Sequence, residues 1–253
     1  MLNSIKKFIK KKFTLQTPNT LFKGIENGKS NFDRSLLMKF GELNKDKTFY
    51  VIKRTPGTGL FSNVVFVLNH LLIANKYNFI PVVDMHNFKT IYNEKKSIKK
   101  NKNAWNYFFE NVSNYSLDEV YKSNRVIIVS DKFFHNFNYN MEDISFKNLI
   151  NKNINIKKSF LDISKRFMKK RFGKRTLGVH FRGTSYKQSA GHPLPATPNQ
   201  MIEIVKKVIK KDKIDKIFLA TEEKKYLEIF KKEFSHKIEY IKSSYRSNKN
   251  DAF

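Results

Sequence analysis

The chain has 253 residues, enough for one large or two modest domains with real cores. It carries 50 Lys and Arg against 22 Asp and Glu, a formal charge of +28, which suits an anionic partner: nucleic acid, an acidic membrane surface or a phosphorylated substrate. There is no cysteine, which excludes disulfides, thiolate metal sites and cysteine nucleophiles.

The charge is mostly lysine, spread over predicted helices and loops alike. A chain crowded with Lys, Asn, Ile and Phe is also what AT-rich coding produces. No helix-turn-helix, zinc-finger or RNP-type pattern is present, so no specific nucleic-acid partner is expected. The histidines, His70, His86, His135, His180, His192 and His236, form neither HxxxH nor HExxH, and no metal site is expected. No apolar run reaches bilayer-spanning length.

Met1 to Phe13 is basic and amphipathic, without the apolar stretch and cleavage site of a signal peptide. It reads as a surface helix, or as a segment lying on an anionic membrane. The rest of 1–45 reads as irregular, with one or two short helices. Residues 48–53 (TFYVIK) read as a strand by their β-branched and aromatic content. A glycine-containing turn follows, RTPGTG, with Gly57 and Gly59, then a helix over 60–76 with apolar residues at helical spacing. Residues 79–84 are the next strand, completing a βαβ unit. The turn, with Ser62 and Asn63 just inside the helix, either cradles a phosphate on backbone N–H groups or is a tight strand-to-helix connection. Asp84 closes its strand before Met85 and His86. It is placed for sugar hydroxyls or for a base, or else caps a helix.

Residues 95–102 read as a solvated charge run. The aromatic cluster of 103–109, NAWNYFF, reads as core. A helix opens after Ser116 with a capping-box-like pattern, and 124–130 is a further strand. Residues 131–155, rich in Asn and Lys, read as a linker. A second α/β pattern follows: helix 157–172, strand 177–182, helix 198–212 with Pro198 in its first turn, strand 217–221, helix 223–234 and strand 238–242. No closing helix follows, so the second sheet reads as unfinished. The strand at 177–182 ends in His180, Arg182 and Gly183. In an open α/β sheet ligands sit beyond the carboxyl ends of the strands. An arginine there binds a phosphate through two parallel N–H···O bonds, or pairs with a carboxylate.

Three stretches together resemble the bacterial fucosyltransferases of the nodulation-Z and α-1,6-fucosyltransferase type: GLFSN at 59–63 with IPVVD at 80–84, NAWNYFF at 103–109, and GVHFRGT at 178–184 with GHP at 191–193 and LATEE at 219–223. The resemblance spans most of residues 47–246. It implies an α/β, GT-B-like fold of two Rossmann-like domains: 1–150 on the acceptor side, and 151–253, incomplete, on the nucleotide-sugar side. It implies inverting transfer of fucose from GDP-fucose to a surface glycan, without metal or other cofactor, in the cytoplasm and in peripheral contact with the inner face of the membrane. It places Arg182 on the donor diphosphate, with His180, Gly183, Thr184, Thr221, Glu222, Ser244 and Arg246 around the donor, and Gly57, Gly59, Ser62 and Asn63 at the glycine turn.

The chain departs from the family pattern at Ser185, where many relatives are acidic, and at Gly183, where the eukaryotic branch has a second arginine. Gln188 stands near that branch's glutamate base, which leaves Asp84 and His192 as candidate bases. Relatives continue beyond the point where this chain stops, so a C-terminally truncated product is expected. A GT-B transferase for another nucleotide sugar and an inactive remnant are the alternatives.

Overall fold

The structure, a computed structural model, describes residues 37–57, 59–98, 100–129, 144–183 and 194–248. The chain divides into two compact units, Met1–Phe160 and Leu161–Phe253. Each contains a three-stranded parallel sheet.

In the first unit β1 (Phe49–Ile52) lies between β2 (Ile80–Val83) and β3 (Val126–Ile128), in the order β2-β1-β3. Side chains alternate across a strand. Tyr50 and Ile52 therefore join one core cluster, with Val83, Ile127 and helix α1 (Leu60–Lys76), while Phe49 and Val51 join another with Val82, Val126 and Ile128. A strand covered on both faces has to be apolar throughout, which is why 49–52 reads as a continuous run and not as an alternation. α1 lays Val64, Phe66, Val67, Leu71 and Ala74 against the sheet. Its chain turns back through Asn78, at φ +53°, into β2.

The aromatic cluster is core: Trp105 and Tyr107 of α2 (Trp105–Phe108), and Phe109 beyond it, are buried, and the Trp105 indole donates to the Glu110 carbonyl at 3.0 Å. Buried Asn103 ties this segment to the end of β2, donating to the Val83 carbonyl at 2.7 Å and accepting the Met85 N–H at 3.1 Å. Ser116 caps α3 (Leu117–Val120) by accepting the Glu119 N–H at 3.2 Å. The predicted linker 131–155 is corrected in its second half: α4 (Ile144–Asn153) is a helix, and Ile150 and Ile154 pack on the α1 cluster. The four-residue spacing of that pair is masked in the sequence by the surrounding Asn and Lys. The first half of the linker, and the basic segment at 1–13, lie outside the described residues.

His70 sits in the same core, 1% exposed, with Nδ1 2.9 Å from the Tyr50 hydroxyl. Burial, helped by the nearby Arg54 charge, pushes its pKa down from 6.5 to about 3. Between those values the unfolded chain takes up a proton that the folded chain refuses. The stability is therefore complete above pH 6.5 and falls as the pH drops toward 3. From pH 7 to pH 5 the urea-unfolding free energy is expected to fall by about 2 kcal/mol through this group. His70→Gln is expected to flatten most of that slope, and an unchanged slope would remove His70 as its source.

In the second unit the order is β4-β5-β6, with β4 (Thr176–His180), β5 (Lys216–Ala220) and β6 (Ile238–Glu239). Helix α5 (Lys158–Arg171) starts in the first unit and leads into β4. Val179, Phe181, Ile217, Leu219 and Ile238 form a core with Val205 of α6 (Pro198–Asp212) and with Tyr226, Leu227, Phe230 and Phe234 of α7 (Lys224–Phe234). On the other face Phe218 meets Phe167 and Phe172, and Lys216 and Arg171 pair with the buried Glu239. The last strand is shorter than the predicted 238–242.

α6 begins with a complete capping box, the Thr197 hydroxyl accepting the Gln200 N–H and the Gln200 side chain returning to the Thr197 N–H at 2.9 Å, with Pro198 in the first turn. Thr197→Ala is expected to lower stability by about 1 kcal/mol in urea denaturation. No measurable change would mean that α6 is held by its packing alone.

Candidate functional site

The carboxyl ends of β4 and β5 bring Arg182, Gly183, Thr221 and Glu222 of the predicted donor residues together. The parallel register sets His180 opposite Ala220, so the segments leaving the two strands run side by side. The Phe181 N–H still bonds the Ala220 carbonyl at 2.9 Å, and Phe181 stacks on Tyr226 at 4.0 Å between ring centroids. That anchor sends the next two residues, Arg182 and Gly183, out along Glu222. The Gly183 N–H donates to Glu222 Oε1 at 2.8 Å, and Arg182 Nε lies 4.0 Å from the same oxygen. Arg182 remains 51% exposed while the Glu222 side chain is 18% exposed.

Gly183 sits where a side chain would displace its neighbours. A Cβ at this position would overlap the buried Glu223 carboxylate and crowd the Tyr226 ring. Only glycine lets the backbone come this close to the start of α7. Thr221 is buried, and its hydroxyl accepts the Glu223 N–H at 3.2 Å. The loop after β6 closes over the same edge: the Ser247 N–H bonds the Glu222 carbonyl at 2.8 Å, and the Ser247 carbonyl accepts the Lys224 N–H at 3.0 Å. Strand end, helix start and C-terminal loop are thus tied into one edge.

The other predicted donor residues are placed differently. His180 is exposed at the last position of β4, and Ser244 is exposed in the loop after β6. Arg246 folds back on its own loop. Its guanidinium donates to the Ile241 carbonyl at 3.2 and 3.1 Å and to the Ser244 carbonyl at 3.0 Å, and it covers the Tyr240 ring. Thr184, Ser185, Gln188 and His192 lie outside the described residues.

The first unit has polar groups at the carboxyl ends of β1 and β2. Arg54 leaves β1 and is 7% exposed; its Nε donates to Asn63 Oδ1 at 3.3 Å, and its guanidinium lies over the Phe66 ring at 4.7 Å. Gly57 stands at φ +77°, and a Cβ there would meet the Asn63 amide oxygen at 2.9 Å. Asn63, 2% exposed, is therefore turned inward under the turn. Ser62 is exposed, and a Cβ at Gly59 would meet nothing. Sequence reading missed Arg54 and Glu223 as parts of these edges. The basic pair Lys53 and Arg54 after the apolar β1 was the available signal for Arg54; Glu223 entered only as the last residue of the LATEE stretch.

Asp84 ends β2 and is 0% exposed. It accepts four hydrogen bonds: from the N–H groups of His86 and Asn87 at 3.0 and 2.8 Å, the Asn87 side chain at 2.9 Å, and the Tyr121 hydroxyl at 2.7 Å. Burial and the neighbouring Asp84 charge hold the Tyr121 hydroxyl well above its usual range, so it donates at any ordinary pH. These bonds fasten the 84–87 turn; no helix begins at Asp84 for it to cap. Among the described residues no group of three or more His, Asp or Glu side chains is placed to hold a metal ion, and no helix is long and apolar enough to cross a membrane.

No family model matches the chain, and no curated protein sequence matches it. The structure is similar to that of NodZ α-1,6-fucosyltransferase soaked with GDP-fucose, at 15% identity and a TM-score of 0.51 over 78% of this chain and 79% of that one. It is similar also to the same enzyme co-crystallized with GDP (15% identity, TM-score 0.50, 78% and 79%) and to fucosyltransferase NodZ from Bradyrhizobium (14%, 0.50, 77% and 79%). At this identity the likeness is one of fold: an α/β chain with parallel sheets, of the fucosyltransferase fold.

Proposed function

We propose that the chain is an inverting glycosyltransferase that moves fucose from GDP-fucose onto a hydroxyl of a surface glycan, with residues 151–253 on the donor side and 1–150 on the acceptor side of a GT-B arrangement. The observation that carries it is the exposed Arg182 guanidinium beside the Gly183 N–H at the carboxyl edge of a parallel sheet, where such folds bind ligands. The likeness to an enzyme crystallised with GDP-fucose and with GDP supports the choice of donor.

The chemistry suits these groups. Glycosyl transfer leaves negative charge on the departing diphosphate and positive charge on the sugar. A guanidinium fixed at the diphosphate stabilises the transition state more than the ground state. One inverting displacement also needs one base for the acceptor proton. We assign that role to His192, whose imidazole nitrogen can accept a proton, and not to Asp84, whose carboxylate already serves four donors. Thr221 and Ser247 hold the edge, and Arg246 holds the loop beside it. The reaction is proposed to run without metal, at the cytoplasmic side of a membrane whose anionic headgroups suit the +28 charge. Consumption of GDP-fucose by the purified chain, with GDP released in equal amount, tests this. EDTA is expected to leave the rate unchanged, and strict dependence on a divalent ion would overturn the metal-free scheme.

A further inference from the structure

Glu222 does more here than border the site. Two groups suited to an anion, the Gly183 N–H and the Arg182 guanidinium, converge on one atom, Glu222 Oε1, at 2.8 and 4.0 Å. A backbone N–H bond and a guanidinium charge beside one oxygen are what a phosphate oxygen attracts. The protein fills that position with its own carboxylate. Glu222 is held from behind, because its carbonyl accepts the Ser247 N–H and Glu223 is buried against Gly183. Arg182 is half exposed and keeps its charge near the strand end.

Resting on the donor-site reading above, we propose that the Glu222 carboxylate is an internal stand-in for the donor's phosphate. It holds Gly183 and Arg182 in place when the site is empty, and the diphosphate displaces it. The device gives selectivity. A small free anion gains the two donors but has to expel or face a like charge. A nucleotide diphosphate adds contacts to its base and sugar that offset this cost. At such distances near a protein surface, like charges repel enough to change affinity by about tenfold or more.

The test titrates pyrophosphate and GDP calorimetrically into the full chain and into Glu222→Gln at one ionic strength. Glutamine keeps an oxygen acceptor for the Gly183 N–H and removes the charge. Pyrophosphate is expected to bind the variant about tenfold more tightly than the wild type, with a smaller gain for GDP. Equal or weaker pyrophosphate binding, or no binding to either protein, would overturn the proposal. Should the variant fold poorly, the wild type decides: the Gly183 amide and Glu222 carboxylate resonances are expected to shift together as pyrophosphate is added, and a Gly183 amide that stays still overturns it. The two readings separate. Tighter pyrophosphate binding by the variant without preference for guanine would keep the stand-in and sink the GDP-sugar assignment. Guanine-selective binding unaffected by Glu222→Gln would do the reverse.

Discussion

Arg182→Lys is expected to lower turnover of GDP-fucose by about a hundred- to a thousandfold, the usual effect of losing one donor aimed at developing negative charge. Lysine keeps the charge, so loss of steering alone would be small. What it loses is the planar fork that gives two parallel bonds to a phosphate. The fold is expected to tolerate the change, because the side chain is 51% exposed and contributes nothing to the core of Val179, Phe181 and Leu219. An unfolding midpoint within experimental error of the wild type, beside a rate down by two to three orders of magnitude, is the expected pair of results. Near-normal turnover would remove Arg182 from the site.

Asp84→Ala has the opposite signature. Asp84 is fully buried and serves four donors, two of them backbone N–H groups and one the hydroxyl of half-buried Tyr121. Alanine would leave all four without this acceptor, and each one that water does not reach costs on the order of 1–3 kcal/mol before relaxation. Allowing for water entry and local repacking, a loss of about 3–5 kcal/mol in urea unfolding is expected. Asp84→Asn keeps one acceptor oxygen for the two N–H groups but turns an amide toward the Asn87 side chain, and is expected to cost less. A stable, folded Asp84→Ala with strongly reduced turnover would reopen Asp84 as the acceptor base and displace His192 from that role.

Much of the fold was legible because each signal was local. The β-branched and aromatic run before the glycine turn marked a strand, and the structure covers it on both faces. Helix α1 runs over the predicted 60–76, after Gly59 and before the Asn78 turn. The capping pattern at Thr197 and Pro198 placed the start of α6. What escaped depends on pairs far apart in sequence. That Arg182 meets Glu222 follows from the parallel register of β4 with β5, which helix α6 separates and which no turn fixes. That Asp84 is fastened in its turn depends partly on Tyr121, 37 residues away. Arg54 entered only as the first residue of the glycine turn because its buried partners, Asn63 and Phe66, come into reach only once α1 folds back on β1. Helix α4 was hidden by composition: Asn and Lys gave the segment the look of a linker, and tertiary packing of Ile150 and Ile154 overrides that preference.

The most direct measurement is calorimetric titration of the purified chain with GDP, against UDP and ADP, at near-physiological salt. The three nucleotides carry similar charge, so nonspecific attraction to a +28 protein cancels in the comparison. Saturable binding selective for GDP is the expected result and supports a working GDP-sugar site at the β4–β5 edge. Equal, salt-sensitive binding of all three, or no binding, would contradict it.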